Sequence, residues 1–514
     1  MKKATTYQSL KPEIWMLAML LTASLLALTP LPGFGAAAEI TDISISDAVA
    51  DELLMDSAVP AHRIDVLSVD GIVTLSGSVD NILAKERAAR IAGIVKGVRG
   101  VINEIQVNPS LLRTDWQVLE DVKDALLLDP ATDTYEVEVQ VDDHVVTLSG
   151  TVDSWQEKQL CAKVAKGVKG VKDLKNEIVV VWPEERTAEE IKAEVEGALE
   201  WDAIVDHALI DVKVEGDQVT LSGTVGSAAE KNWATVDAYV HGVQEVDASG
   251  LEVARWARDD DLREDKYTRK SKEAVVAAIN DALALDPRVS TFEVTPEVMH
   301  DGATVILRGT VDNLKAKRAA AQDARNIVGV VSVDNRIKVR PVEWVSDEKI
   351  ETRVRDALLR DPYVESYAIN VVMKNGVANL YGTVDTYFEK TQAGDAAAKA
   401  DGVIMVENNL TVLDDISPYT YDPYVDDAYI YSSDWYQNRP RFPTKSDWQI
   451  KADIEDELFW SPFVDADQVK VAVDNGDVTL TGTVDTWAEY NAAVNNAYEG
   501  GAVYVANDLN VKTP

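Results

Sequence analysis

Cysteine is almost missing from this chain: Cys161 stands alone among 514 residues, so no intramolecular disulfide can form. Histidine is nearly as scarce. The five present, His62, His144, His207, His241 and His300, are scattered, which leaves no Cys/His cluster for a zinc site and no HExxH or GxSxG context for catalysis. Basic residues are few beside acidic ones. Lys plus Arg number 50 against 88 Asp plus Glu, and a formal charge of −38 argues against a chain built to grip nucleic acid. A hydrophobic content of 46% nevertheless excludes wholesale disorder, and at roughly 100 to 200 residues per domain the length allows about three to five domains.

The one long apolar run is at the N-terminus. Lys2, Lys3 and Lys11 precede Ile14 to Leu28, and Pro30, Pro32, Gly33 and Gly35 then lead to Ala36-Ala37-Ala38. That layout predicts a secretory signal over 1–38, cleaved before Glu39. The alternative is an uncleaved membrane anchor, but the run is shorter than the roughly 20 residues a spanning helix needs.

Self-similarity organises everything that follows. The segment Val73-Thr74-Leu75-Ser76-Gly77-Ser78-Val79-Asp80 returns at 146–153, 219–226, 305–312, 377–385 and 478–485. Its glycines, Gly77, Gly150, Gly223, Gly309, Gly382 and Gly482, are separated by 73, 73, 86, 73 and 100 residues. Six units follow, over 42–108, 114–182, 185–254, 268–340, 344–413 and 444–513. The two longer intervals hold linkers, a charged one at 255–267 and one rich in Tyr, Asp and Pro at 414–443.

Within the second unit, Val118, Val122, Ala125 and Leu126 recur at helical spacing, and Asp129-Pro130 ends that helix. Val137, Val139 and Val141 then alternate with polar residues as a strand with one wet face. Turn residues such as Asp70-Gly71 and Asn375-Gly376 suit tight hairpins. The return strand points Val146, Leu148, Gly150 and Val152 inward, and the glycine is expected to let a helix backbone approach. Ser154 and Glu157 predict a capping box on a second helix, repeated at Ser227, Thr386 and Thr486, while Asn81 and Asn313 cap without the glutamate. A last strand at Ile178 to Val181 completes the unit. The fold class is α+β: six tandem α-β-β-α-β domains, each a three-stranded sheet packed against two helices. The place of the last strand in the sheet is left open. The sixth unit, with Gly500-Gly501-Ala502, is expected to be the least regular.

The hairpin ending Val-Thr-Leu-Ser-Gly-Thr-Val-Asp, together with the Gly-Val-Lys-Gly-Val and Asn-Glu-Ile pattern of Gly167 to Ile178, resembles the BON domain family of bacterial envelope proteins. The resemblance covers nearly all the chain after residue 38 apart from the two linkers. It implies a periplasmic, non-enzymatic protein in osmotic-stress protection, phospholipid association or envelope interaction, with a phospholipid membrane or other envelope proteins as partners. No catalytic residue, metal ligand or cofactor is expected.

The lipid or partner contact is placed at the end of each first helix, where Met55, Leu128, Trp201, Leu285, Arg360 and Trp460 stand. Trp201, Phe459, Trp460 and Phe463 are its candidate residues, weighed against simple capping of the core. A cation-binding module is a further alternative, resting on Asp259-Asp260-Asp261 and Asp414-Asp415, although neither has EF-hand spacing. Cys161 is expected to be a tolerated helical residue. The sequence does not settle the oligomeric state.

Overall fold

The computed structural model describes residues 40–109, 113–129, 131–132, 137–182, 186–258, 266, 270–289, 294–300, 302–341, 345–413, 445–461, 463–484 and 487–511. The predicted signal over 1–38, the acidic cluster at 259–261 and the linker 414–443 lie outside these residues. Residues 42–514 form one unit, which holds all six repeats.

Each repeat opens with a helix of 14 residues: Asp42–Met55, Asp115–Leu128, Ala188–Trp201, Lys272–Leu285, Asp347–Arg360 and Asp447–Trp460. A hairpin follows, then a second helix: Ile82–Gly93, Trp155–Lys166, Ala228–Asp237, Leu314–Arg325, Tyr387–Ala398 and Trp487–Glu499. The return strand is central in every sheet, antiparallel to the strand before it and parallel to the last strand. A parallel neighbour needs a crossover, and the second helix supplies it. In the first and fourth repeats the last strand is split in two, as at Gly100–Asn103 and Gln106–Val107.

The alternation read from sequence places the core. Val146, Leu148 and Val152 are buried, as are Val118, Val122 and Leu126 of the first helix, each stabilising by about 1.5–3 kcal/mol if fully removed from water. The recurring glycine has a different cause from the expected helix approach. All six have φ between +118° and +136°. A Cβ on Gly77, Gly223, Gly382 or Gly482 would stand 1.9–2.0 Å from the carbonyl oxygen of Arg63, Leu209, Ala368 or Gln468, just ahead of the neighbouring strand. Only glycine tolerates both the dihedral and the approach.

Side chains tie the elements together at repeated positions. Asp42 in the first helical turn accepts the N–H groups of Asp70 and Gly71 at the hairpin tip, both at 2.8 Å, and Asp115, Asp347 and Asp447 do the same in their repeats. These bonds hold the Asp42 carboxyl below its ordinary range, the Gly71 N–H contributing most. The tip residues Asp70, Asn375 and Asn475 have φ near +53°, as a tight hairpin requires. The asparagine of the Asn-Glu-Ile pattern links last strand to second helix: Asn176 donates to the Lys158 carbonyl at 3.0 Å, and Asn103, Asn335 and Asn408 make the equivalent bond at 2.7 Å.

Ser154, Ser227 and Thr386 cap their helices as expected, as do Asn81 and Asn313. The cap of the sixth repeat, Thr486, is outside the described residues. Reciprocal capping boxes are found instead on first helices, at Thr114/Gln117, Thr187/Glu190 and Ser446/Gln449. The glutamates of the second helices reach further: Glu230 accepts from both Gly226 and Asp206 at 2.8 Å, joining the helix start to the loop before the hairpin. The sixth repeat pairs its last two strands without interruption over eight residues, whereas the third carries a register shift between Asp247 and Gly250. The pairing of the last strand is thus more regular in the sixth repeat than in the third.

Candidate functional site: helix-end junctions and a basic cavity

The ends of the first helices, where contact residues were expected, are where repeats join. The Trp201 carbonyl accepts the Val328 N–H at 2.9 Å, Ala203 donates to the Asn326 carbonyl at 2.8 Å, and Asp202 and Ile327 form an antiparallel bridge. Repeats three and four are thereby linked, and the Trp201 ring packs on the fourth repeat's core with the Lys270 ammonium 5.5 Å from its centroid. Repeat six meets repeat one in the same way. The Trp460 carbonyl accepts the Lys96 N–H at 2.9 Å, while the Lys96 ammonium donates to the Phe459 carbonyl at 2.7 Å and lies 4.5 Å from the Phe459 ring centroid. Phe459 and Trp460 pack edge to face, and Phe463 packs on its own repeat's core.

A third junction joins repeats two and five, with Lys169 donating to the Arg360 carbonyl at 2.6 Å. Lys96, Lys169 and Val328 all stand 19 residues after their repeat's hairpin glycine, and each bonds the last residue of a first helix. The joining group is backbone, which is why Arg360 serves as well as tryptophan. Sequence singled out the helix-end position and, as part of the Gly-Val-Lys-Gly-Val pattern, the loop that holds Lys169, but not that the two meet, because an N–H carries no residue signature.

Between these junctions lies a cavity of about 600 Å³ lined from five repeats. Arg87 and Arg90 come from the first repeat, Lys163 and Lys166 from the second, and Arg288, Lys315 and Arg318 from the fourth; Arg353, Arg360 and Lys399 of the fifth complete the basic residues. Ten basic side chains thus face four acidic ones, Glu86, Asp129, Asp361 and Asp395, in a chain of net charge −38. Leu83, Leu128, Leu160, Val164 and Phe388 supply apolar wall.

Several of these groups are fixed by ion pairs across repeats. Lys166 bonds Glu86 at 2.5 Å, Lys315 bonds Asp129, and Arg318 bonds Asp395 at 3.2 Å. Burial pushes the Asp395 carboxyl up, and Lys399 and Arg318 more than reverse this, leaving it below its ordinary value. Asp361 is pushed up to about 6, chiefly by burial, although Gln392 donates to it at 2.7 Å. Acidification through that value therefore makes the cavity more positive. Burial also lowers the Lys315 ammonium.

No serine, threonine, cysteine or histidine is among the described lining residues, and the hydroxyl found there is that of buried Tyr363. Cys161 is buried, and desolvation pushes its thiol up to about 12, away from the reactive thiolate. Among the described residues no three His, Cys, Asp or Glu side chains group as metal ligands. The histidines stand apart; His144 sits at a hairpin tip with φ +64°, held by Asp115 and the Arg113 carbonyl. The described part of the charged 255–267 stretch is structured: Arg255–Arg258 form a 3-10 helix with Ala257 buried, and Lys266 is buried in repeat three and donates to the Leu199 carbonyl at 3.2 Å.

Residues 41–109, 114–181, 187–255, 271–341, 346–414 and 446–513 each match the model of the BON domain. The chain belongs to the BON domain family, in six tandem copies. It is 32% identical over 143 residues to osmotically-inducible protein Y of Escherichia coli, covering 27% of this chain and 71% of that protein. It is 28% identical to the outer membrane lipoprotein DolP of Haemophilus influenzae, over 38% of this chain and 84% of that one. The 21 kDa hemolysin of Actinobacillus pleuropneumoniae is 27% identical, over 28% and 75% respectively.

Proposed function

We propose that this chain is an exported, non-enzymatic multi-BON protein of the bacterial envelope, acting in the periplasm in envelope interaction or osmotic-stress protection. The observation that carries the reading is the six-fold BON array, together with similarity to a protein named as osmotically inducible. Export rests on the signal layout of residues 1–38, and no helix among the described residues is long and apolar enough to cross a membrane. N-terminal sequencing of the protein from a periplasmic extract, with survival of a deletion strain after osmotic upshift, tests it. A mature protein beginning at Glu39 and reduced survival are expected; a cytoplasmic chain that retains Met1, or unaltered survival, overturns it.

A second reading is a phospholipid-associated scaffold, supported by similarity to a protein named as an outer membrane lipoprotein. Its contact residues are Trp201, Phe459, Trp460 and Phe463. Three of these stand at junctions between repeats but keep part of their surface exposed, and the acidic surface opposes anionic membrane. Flotation with anionic vesicles, with and without magnesium, decides it: absence of association in both sinks the reading. Calorimetry with calcium and potassium tests the cation-binding alternative in the same way.

A further inference from the structure

We propose that the cavity lined by the repeats is a binding site for a compact multivalent oxyanion, a small molecule carrying several phosphate or carboxylate groups. The charge inventory is the first reason. One-fifth of the chain's 50 basic residues converge on one space of about 600 Å³, although the chain as a whole repels anions. Acids outside the lining also face these cations, Asp56 at Arg87, Asp286 at Arg288, Asp401 at Arg353 and Asp121 near Arg360, and the ten basic residues outnumber the eight acids so named. Glu86, Asp129 and Asp395 offset part of the repulsion among cations brought together by four separately folded repeats, a bound anion would offset more of it, and low-dielectric walls focus the field inward.

The chemistry of the lining is the second reason. Six of the ten basic residues are arginines, whose planar forks match carboxylate and phosphate oxygens two at a time. The Tyr363 hydroxyl, also in the lining, is buried with no hydrogen-bond partner among the described residues, a donor that a ligand oxygen would satisfy. The volume lies within the roughly 300–1,000 Å³ usual for small-molecule sites and is too small for a folded segment of a partner. Because the cations come from repeats one, two, four and five, the ligand also pins the repeats to one another.

Titration calorimetry of the full chain tests this, with sodium tripolyphosphate in one arm and citrate in the other, at low and physiological salt. One saturable site per chain is expected for at least one anion, weakening with salt, and the tighter of the two identifies phosphate or carboxylate as the favoured group. The triple variant Arg90→Gln/Lys163→Gln/Arg360→Gln should weaken it by about tenfold or more, from lost charge-assisted bonds. The exterior control Lys213→Gln/Arg336→Gln should not. On the unmodified chain, the same anion should shield Lys163 and Lys166, but not the exposed Lys213, from acylation read by mass spectrometry. No saturable binding of either anion, several equivalent sites per chain, or equal acylation of Lys163 and Lys213 with anion present overturns the proposal.

Discussion

The backbone N–H of Lys96 donates to the carbonyl of Trp460 across 2.9 Å, joining residues 364 positions apart and closing the first repeat onto the sixth. Lys169 with Arg360 and Val328 with Trp201 repeat the relationship, so the array folds back with repeats one and six, two and five, and three and four in contact. One junction geometry, used three times, gathers the basic side chains around a common space.

The first junction depends on the Lys96 side chain as well as its backbone. Lys96→Ala removes the ammonium from the Phe459 ring and carbonyl. The loss should be about 1–3 kcal/mol, and a double-mutant cycle with Phe459→Leu should show coupling of about 0.5–1 kcal/mol. The direct readout is hydrogen exchange of the residue-96 amide, which should quicken in the variant. Unchanged exchange there would mean that the junction does not need the side chain.

Two glycine substitutions should have opposite signs. Gly223→Ala places a methyl 2.0 Å from the Leu209 carbonyl oxygen at φ +123° and should destabilise the chain by at least about 2–3 kcal/mol. Gly197→Ala, inside the helix Ala188–Trp201 with nothing within 4 Å of the added carbon, should stabilise by about 0.5–1 kcal/mol. Urea unfolding of each variant separates the two. Equal effects would refute the assigned role of the hairpin glycine.

Buried charges in two repeats are neutralised by different routes. Asp56 is paired with Arg87 of its own repeat, whereas Leu160 occupies the equivalent place in repeat two and Asp129 instead takes Lys315 from repeat four. Arg87→Met should therefore destabilise by about 3–5 kcal/mol, because it strands a buried carboxylate. Lys315→Met should in addition loosen the contact between repeats two and four, visible as faster cross-repeat proteolysis. A Lys315→Met chain with unchanged proteolysis would show the pair to be dispensable.

The contact of repeats one and six should weaken as pH rises. Glu52 is pushed up to about 8 by burial and by Glu499, and Glu457 to about 10 by burial and by Glu52. Carboxyls raised in the folded state contribute stability that is full below their ordinary value near 4.5 and lost as pH climbs through the folded values. Hydrogen exchange at the Lys96 amide should accordingly speed up between about pH 5 and pH 9 beyond its intrinsic pH dependence, and Glu52→Gln/Glu457→Gln should flatten that excess. An excess that persists in the double variant would place its origin elsewhere.

Each repeat's fold was legible because its signals are local and recur six times. The alternation around Leu148, the turn at Asn375-Gly376 and the Ser154 cap all specify elements within a few residues. The glycine's presence was legible but its cause was not, since a positive φ opposite a neighbouring strand's carbonyl needs the register Ile64 to Gly77 to be seen. Among candidate contact residues, Trp201, Phe459 and Trp460 stood out by hydrophobicity, yet what they meet, the Val328 amide for Trp201 and the Lys96 amide and ammonium for Trp460 and Phe459, lies in another repeat.

By itself the sequence determined the family, six α-β-β-α-β units and an acidic exterior, because hydrophobic period, turn chemistry and net charge are properties of short segments and of their sum. Only the tertiary structure decided which repeats meet and that Arg90, Lys163, Lys315 and Arg360 share one space. Arg90 and Lys163 share a repeat position, 13 residues after the hairpin glycine, but Lys315 and Arg360 stand elsewhere in their repeats, so the convergence of all four is a product of docking geometry, and a cation reads the same in sequence whether it faces solvent or nine others.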